Sequence, residues 1–231
     1  SFYGNASGGV IQINTLQGFE DNFIRLRLQG GSFSSRNLAA TVGLKKNKTK
    51  AVFYQNHSES QGYRNHSKYK QQVFNARVWH DLSESSQIRW QFNYTKSPYA
   101  YDAGGINLEM VNENPKQARP QNETYNTYET INHLKTGLQW EKQINDNLRW
   151  DSYAFYAHRD FVGRLPFGFG GFVDLKRDYY GLGTAMEYQP QKHHRMQLRF
   201  SLADQKDHRQ RFKNLNGSSG ENPLDQGELF F

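Results

Sequence analysis

Ile88-Arg89-Trp90-Gln91-Phe92-Asn93-Tyr94-Thr95 alternates without a break. Ile88, Trp90, Phe92 and Tyr94 are apolar or aromatic, while Arg89, Gln91, Asn93 and Thr95 are polar. Successive side chains of an extended chain point to opposite faces, so this stretch has one apolar and one hydrophilic side. The rhythm recurs on both sides of it. Ile24, Leu26 and Leu28 alternate with Arg25, Arg27 and Gln29, and Leu38, Ala40, Val42 and Leu44 form the next row. Phe74, Ala76 and Val78 follow, then Leu134, Leu138 and Trp140 against Lys135, Gln139 and Glu141. Leu182, Met186 and Tyr188 share a face, as do Met196, Leu198, Phe200 and Leu202. Helical spacing is almost absent. The fold class is all-β, a meander of antiparallel strands.

The links between the rows add a second signal. Tight polar turns are expected at residues 46–49, 82–86, 143–147 and 189–195, and long links at 57–68, 97–126, 160–177 and 203–226. Strict alternation of short and long links is the habit of a transmembrane β-barrel, with short turns at one rim and long loops at the other. A soluble sandwich also alternates in hydropathy, but gives no reason for one rim to own the long loops. Trp79, Trp90, Trp140 and Trp150 all fall near the expected short turns, where aromatic rings collect at the membrane interface. Trp79 breaks parity, since it shares a face with Arg77 rather than with Val78.

Composition narrows the classes. The 231 residues include no cysteine, 14 Tyr and 16 Phe, and carry a formal charge of +7. Aromatic residues at 15% argue against disorder, and no apolar run is long enough for a membrane-spanning helix. Without cysteine there is no disulfide framework and no thiolate nucleophile or metal ligand. The basic surplus is spread along the chain, its densest patches being Lys45-Lys46-Asn47-Lys48 and Asp207-His208-Arg209-Gln210-Arg211, so no nucleic-acid partner is expected. His193-His194 sits in an expected turn, and neighbours on a strand point apart, so it does not read as a metal pair. Asp174 and Asp178 lie near Arg177, which suggests a solvated ion pair rather than acid–base chemistry. Gly168-Phe169-Gly170-Gly171 lacks the spacing of a phosphate cradle. No enzymatic constellation and no cofactor site is expected.

The first fifteen residues stand outside the rhythm. Tyr3-Gly4-Asn5-Ala6-Ser7-Gly8-Gly9-Val10-Ile11-Gln12-Ile13 closely resembles the stretch that closes the plug domain of TonB-dependent outer-membrane receptors just before their barrel. Asp102-Ala103-Gly104-Gly105-Ile106 followed by Asn114-Pro115-Lys116-Gln117-Ala118-Arg119-Pro120-Gln121-Asn122 resembles a long extracellular loop of siderophore-type receptors, near the subgroup that includes the pyrroloquinoline quinone receptor. The stretch from Asp207 to Asn214, with Gly217, Leu224-Asp225-Gln226 and Glu228, resembles a later loop of the same subgroup.

This resemblance implies a plug end over residues 1–19 and a barrel wall over 20–231, about nine to ten strands of a plugged barrel that usually has about 22. The last loop leaves only Glu228 to Phe231, too few residues to cross a membrane, so the chain is expected to be an internal fragment. It further implies active uptake across the outer membrane of a Gram-negative bacterium, powered through the TonB energy-coupling complex, with outer-membrane lipid around the wall. The expected substrate is a metal chelate, a ferric siderophore first; a quinone cofactor, haem or cobalamin stay open, and a soluble polyanion-binding β protein is the alternative from another class. Anionic, oxygen-rich chelates suit Arg and Tyr. The expected ligand-binding residues are Tyr99, Tyr101, Arg119, Arg164, Arg209 and Arg211, all placed on extracellular segments. Arg25, Arg27, Arg89 and Lys135 are expected to face the lumen and the plug.

Overall fold

The computed structural model describes residues 18–230; the plug-like opening stretch lies outside them. Five strands come first: β1 (Phe23–Gly31), β2 (Ser35–Lys46), β3 (Thr49–Ser60), β4 (Tyr69–Ser83) and β5 (Ser86–Tyr101). Two short helices follow, α1 (Leu108–Glu113) and α2 (Pro120–Thr124). The chain then forms β6 (Tyr128–Asn145), β7 (Leu148–Arg164), β8 (Phe172–Gln191) and β9 (His194–Phe212). A small hairpin, β10 (Asn214–Leu215) and β11 (Ser218–Ser219), precedes β12 (Asp225–Phe230). β1 to β9 and then β12 pair in that order as one ten-stranded antiparallel sheet with β1 and β12 at its open edges. The molecule is a partial barrel wall.

At one rim the hairpins close through Asn47-Lys48, Glu84-Ser85, Asp146-Asn147 and Lys192-His193, the four sites expected to be tight. Asn47 takes a left-handed φ of 52°, which its short polar side chain tolerates. The opposite rim differs from expectation. Only residues 102–127 form a loop of the expected size; β3 continues to Ser60, β7 to Arg164 and β9 to Phe212, which shortens the other three. Residues 32–34 make a tight turn on this same rim, with Phe33 and Ser34 at φ 60° and 54°. In these upper strand ends polar and apolar residues mix on both faces, Phe161 and Leu175 inward beside Arg159 and Arg177, Val162 and Phe172 outward beside Asp160 and Asp174, so hydropathy loses its period while the backbone ladder continues.

Register assigns the faces. Arg25, Thr41, Tyr54, Asn75, Asn93, Lys135, Ala157, Tyr179 and Gln205 form one continuous rung and lie on the inward, concave side. Outward, Leu44, Ala51, Val78, Trp90, Leu138, Ala154, Leu182 and Leu202 form another. The apolar belt runs obliquely to these rungs. The rung that starts inside the belt at Val42 passes Phe53, Ala76, Phe92 and Thr136 and leaves it at Tyr156, Tyr180 and Asp204. A belt level with a membrane crosses the rungs in this way when the strands are tilted, as barrel closure requires.

The outward belt is openly apolar: Leu198 is 76% exposed, and Ile24, Leu26, Leu28, Phe200 and Leu202 are exposed as well. Burying such a surface is what a lipid environment does, at about 25 cal/mol per Å² removed from water. Aromatic rings border it. Near the short turns, the indoles of Trp90, Trp140 and Trp150 donate to Thr136 Oγ1 (3.0 Å), Ser86 Oγ (2.9 Å) and Thr184 Oγ1 (2.6 Å). On the other border, Tyr156 and Tyr180 donate at 2.6 Å to Asp178 and Asp204, so each ring spans from the apolar to the polar zone. Trp79 is inward and 5% exposed, in keeping with its broken parity.

At the short-turn rim Lys45 Nζ donates to Glu20 Oε2 at 2.5 Å and Lys50 Nζ to Glu20 Oε1 at 3.3 Å. Asn22 Oδ1 accepts from the Lys45 backbone N–H at 2.6 Å. Lys45 and Lys50 are cross-strand partners on the inward face, so the segment entering β1 is tied to the lumen side. The hydrogen bonds from Lys45 and Lys50, together with the charges of both, hold the Glu20 carboxyl below its ordinary range.

Candidate functional site

Two features stand out: a concavity on the inward side against the middle strands, and a layer of interlocked loops at the rim opposite the short turns. The concavity, about 660 Å³, spans β4 to β9 and is lined by Arg77, Trp79, Arg89, Lys135, His133, Arg159 and Arg177, together with Tyr153, Phe155 and Tyr179. No carboxylate is among its lining residues. The aromatic rings lie flat because glycines face them. Tyr153 is the cross-strand partner of Gly183 and Phe155 that of Gly181. A Cβ at Gly183 would stand 2.6 Å from the Tyr153 ring, and one at Gly181 would stand 2.8 Å from both the Phe155 ring and the Leu202 carbonyl oxygen.

Carboxylates border the concavity and are already engaged. Arg177 donates to Asp207 through Nε (2.7 Å) and Nη2 (2.5 Å), a bidentate pair with Asp207 only 4% exposed. This corrects the expected pairing of Arg177 with Asp174 and Asp178. Those two have the other parity and lie outward, where Asp178 Oδ1 stands 2.8 Å from His158 Nδ1. Glu141 takes Arg89 and, at 3.1 Å, Arg149. Asp151 accepts from Gln139 at 2.6 Å. Among the described residues, the guanidinium donors Arg159 Nε and Arg211 Nε are buried with no hydrogen-bond partner. Arg159 also stands 5.1 Å from the Phe161 ring centroid. Such donors face an acceptor or cost free energy while unmet.

Above the concavity the loops form one layer. Arg64, in the link between β3 and β4, donates to the carbonyls of Gln117 (2.9 Å), Gly104 (2.6 Å) and Ala103 (3.2 Å). His66 Nε2 is 2.9 Å from the Thr127 carbonyl oxygen. Asn122, 1% exposed, donates to Asp102 O (3.0 Å) and to Thr127 Oγ1 (3.1 Å). Asn214 donates to Tyr125 O (3.1 Å) and Leu165 O (2.9 Å), joining three links of the rim.

The sequence-expected residues separate by face. Arg25, Arg27, Arg89 and Lys135 are inward, and the last two line the concavity. Arg209 and Arg211 are also inward, in β9 rather than in a loop, opposite Leu175 and Val173. Tyr99, Tyr101 and Arg164 belong to strand ends and face outward. Tyr101 stacks on Tyr128 at 4.7 Å, and Arg164 lies 3.6 Å over the Tyr128 ring while donating to Gly217 O (3.0 Å) and Thr130 Oγ1 (3.3 Å). Arg164 therefore clamps the rim. Arg119 precedes α2, exposed, with Nε donating to Gln121 at 3.1 Å. Sequence reasoning missed His133, Arg159 and Arg177. Register puts the three on one rung, but the irregularity between Gln143 and Asn145 shifts any count from the Asp146-Asn147 turn by one residue, and aromatic residues on both faces of β7 and β8 hide the parity.

No family model matches the chain. The wall does match solved structures. The unliganded ferric citrate transporter FecA aligns over 89% of this chain and 32% of its own, with 16% identity and a TM-score of 0.64. The siderophore receptor PiuA from Acinetobacter baumannii aligns over 92% and 38%, with 11% identity and a TM-score of 0.67. The ferric-catecholate import receptor Fiu from E. coli K12, in its open form, gives 92% and 40%, 12% identity and 0.67. The fold is thus the partial β-barrel found in TonB-dependent outer-membrane receptors. At these identities the likeness is one of fold, and the chain spans about a third of the length of the structures it matches.

Proposed function

We propose that residues 20–231 are barrel wall, and residues 1–19 the end of the plug, of a TonB-dependent receptor that imports an anionic metal chelate, a ferric siderophore first, across the outer membrane of a Gram-negative bacterium. The observation that carries this reading is the carboxylate-free concavity with its cations, supported by the two unmet donors of Arg159 and Arg211 on the same face. In a confined, partly desolvated space these groups favour an anion, either on the substrate or on the plug. Arg25, Arg27, Arg89 and Lys135 serve the plug side of that contact. The coupling complex acts through the part that precedes the wall, and transport chemistry needs no reacting residue.

Among the six loop-directed candidates, Arg209 and Arg211 share the inward face with Arg159 and carry the recognition; Tyr99, Tyr101 and Arg164 do not reach it, and Arg119 is peripheral. A charge-assisted hydrogen bond is worth about 1.5–3 kcal/mol, so losing one that touches the chelate weakens binding by about tenfold or more. Binding of candidate ferric chelates to the full-length receptor in detergent tests this. Arg159→Ala or Arg211→Ala should lose about tenfold, and Arg119→Ala should be nearly neutral. Parent-like binding by every inward variant would remove this wall from the substrate path.

A further inference from the structure

Asn214 stands just beyond the end of β9 and is 3% exposed. Its Nδ2 donates to Tyr125 O at 3.1 Å and to Leu165 O at 2.9 Å, and its Oδ1 accepts from the Gly217 N–H at 2.6 Å. Its own backbone N–H donates to Gly168 O at 2.7 Å. These partners set the amide orientation, since the reverse would turn its oxygen on two carbonyls. One residue therefore joins the links 102–127, 165–171 and 213–224.

The joint is packed as well as bonded. A Cβ on Gly217, whose φ is 94°, would stand 2.6 Å from the Asn126 side chain, and one on Gly171 would collide with Phe167 O and stand 3.2 Å from Asn214 Cβ. Arg164, lying over Tyr128, donates to Gly217 O at 3.0 Å, so the end of β7 holds the same hairpin. Arg211 lies between two of these links. A Cβ on Gly170 would stand 3.9 Å from Arg211 Cδ, and the Arg211 carbonyl oxygen accepts from the Leu224 N–H at 2.7 Å. Arg211 Nε is buried with no hydrogen-bond partner among the described residues. A sheltered donor that is held still before its acceptor arrives is preorganised for it.

We propose that Asn214 is a positioning residue for anion recognition: by locking three links into one fixed body it holds Arg211 in place before the substrate arrives, an inference that rests on the transport reading above. Links free to move would adopt the competent arrangement only part of the time, and apparent affinity falls by that fraction. The loss appears in the association rate, because productive encounter waits for the arrangement. Removing Arg211 itself acts on the other rate. A missing charge-assisted contact is felt after binding, as faster dissociation.

The test uses the full-length receptor in detergent, with Asn214→Asp, which keeps the shape of the side chain and removes its N–H donors, and Asn214→Ala. Heat-modifiable mobility on gels confirms that each variant is folded. In the parent, the amides of Thr127, Leu165 and Gly217, one in each link, should share one hydrogen-exchange protection factor, which tests the joint with no substitution. Both variants should speed exchange in all three links together and leave the short turns unchanged. In stopped-flow binding of ferric citrate and of a ferric tris-catechol complex, Asn214→Asp should associate about tenfold more slowly with the chelate that the parent binds and dissociate at the parent's rate. Arg211→Ala should dissociate about tenfold faster instead. Unequal protection in the parent, faster exchange in the 213–224 link alone, or parent-like association by both Asn214 variants beside a fast-dissociating Arg211→Ala overturns the proposal and leaves the transport reading intact. Parent-like binding by Arg211→Ala, or a parent that binds neither chelate, brings down the reading of the site itself and the role of Asn214 with it.

Discussion

The lower and upper halves of the same strands obey different rules. Between the short turns and the tyrosine border, the strands other than β7 and β8 are divided: Trp90 outward and Arg89 inward are neighbours in sequence and meet opposite environments. Above that border the division vanishes. Asn132 outward and His133 inward are both polar, as are Asp178 and Arg177, yet β6 and β8 run on unbroken. In the lower half side-chain partition into lipid and lumen determines which residues can stand where. In the upper half the cross-strand backbone ladder maintains the strand, and side chains on both faces are free to be polar.

The largest effect should come from violating the partition. Phe92→Arg puts a charge on the lipid face near the middle of the belt and should cost about 2–4 kcal/mol in a folding titration in lipid. Asn93→Arg, one residue away but inward, should be nearly silent. The same pair of changes above the border, Asn132→Arg against His133→Arg, should show no such contrast. An upper pair as unequal as the lower one would erase the distinction between the halves.

A smaller loss is expected from the inward polar pair in the upper half. Arg177→Ala leaves the buried Asp207 carboxylate without its bidentate partner and should destabilise by about 1.5–3 kcal/mol. The paired change Arg177→Ala/Asp207→Ala should recover part of that in the same titration. Without recovery, the pair is not what steadies this half.

Below it, Gly181→Ala places a methyl against the Leu202 carbonyl oxygen and the Phe155 ring, an overpacking penalty near the lower end of about 1–3 kcal/mol. Gly137, whose added Cβ would meet its nearest atom at an ordinary 3.5 Å, should tolerate alanine. Equal behaviour of the two glycines in thermal unfolding would argue that the aromatic ring has room to move.

The smallest effect is at the Glu20 tie. A carboxyl whose folded pKa is depressed stabilises the fold above its unfolded pKa, and the contribution is lost as pH falls through the depressed value. The parent should therefore lose this increment below about pH 4, and Glu20→Gln should flatten that part of the pH profile. Full solvent exposure keeps the increment small. Identical acid profiles for parent and variant would show that the tie contributes nothing.

The divided half was legible because its alternation is written in residue type: Ile88 to Thr95 alone gives strand, period and two faces. The tight turns followed from the polar clusters between rows, and even the odd parity of Trp79 carried through. The undivided half was not legible. Residues 160–164, 172–177 and 203–212 carry no clear period in hydropathy and so read as long links, although they are strand. That reading puts Tyr99, Tyr101, Arg164, Arg209 and Arg211 in loops, to which parity assigns no face, rather than in strands. Sequence determined by itself that the chain is a meander of amphipathic strands with one lipid-compatible side, because a period of two depends only on local geometry. Tertiary structure alone decided which cations share a cavity, which carboxylates they neutralise and which aromatic rings face away from the lumen. Those depend on register and tilt between strands, which arise from contacts far apart in the chain and leave no local mark.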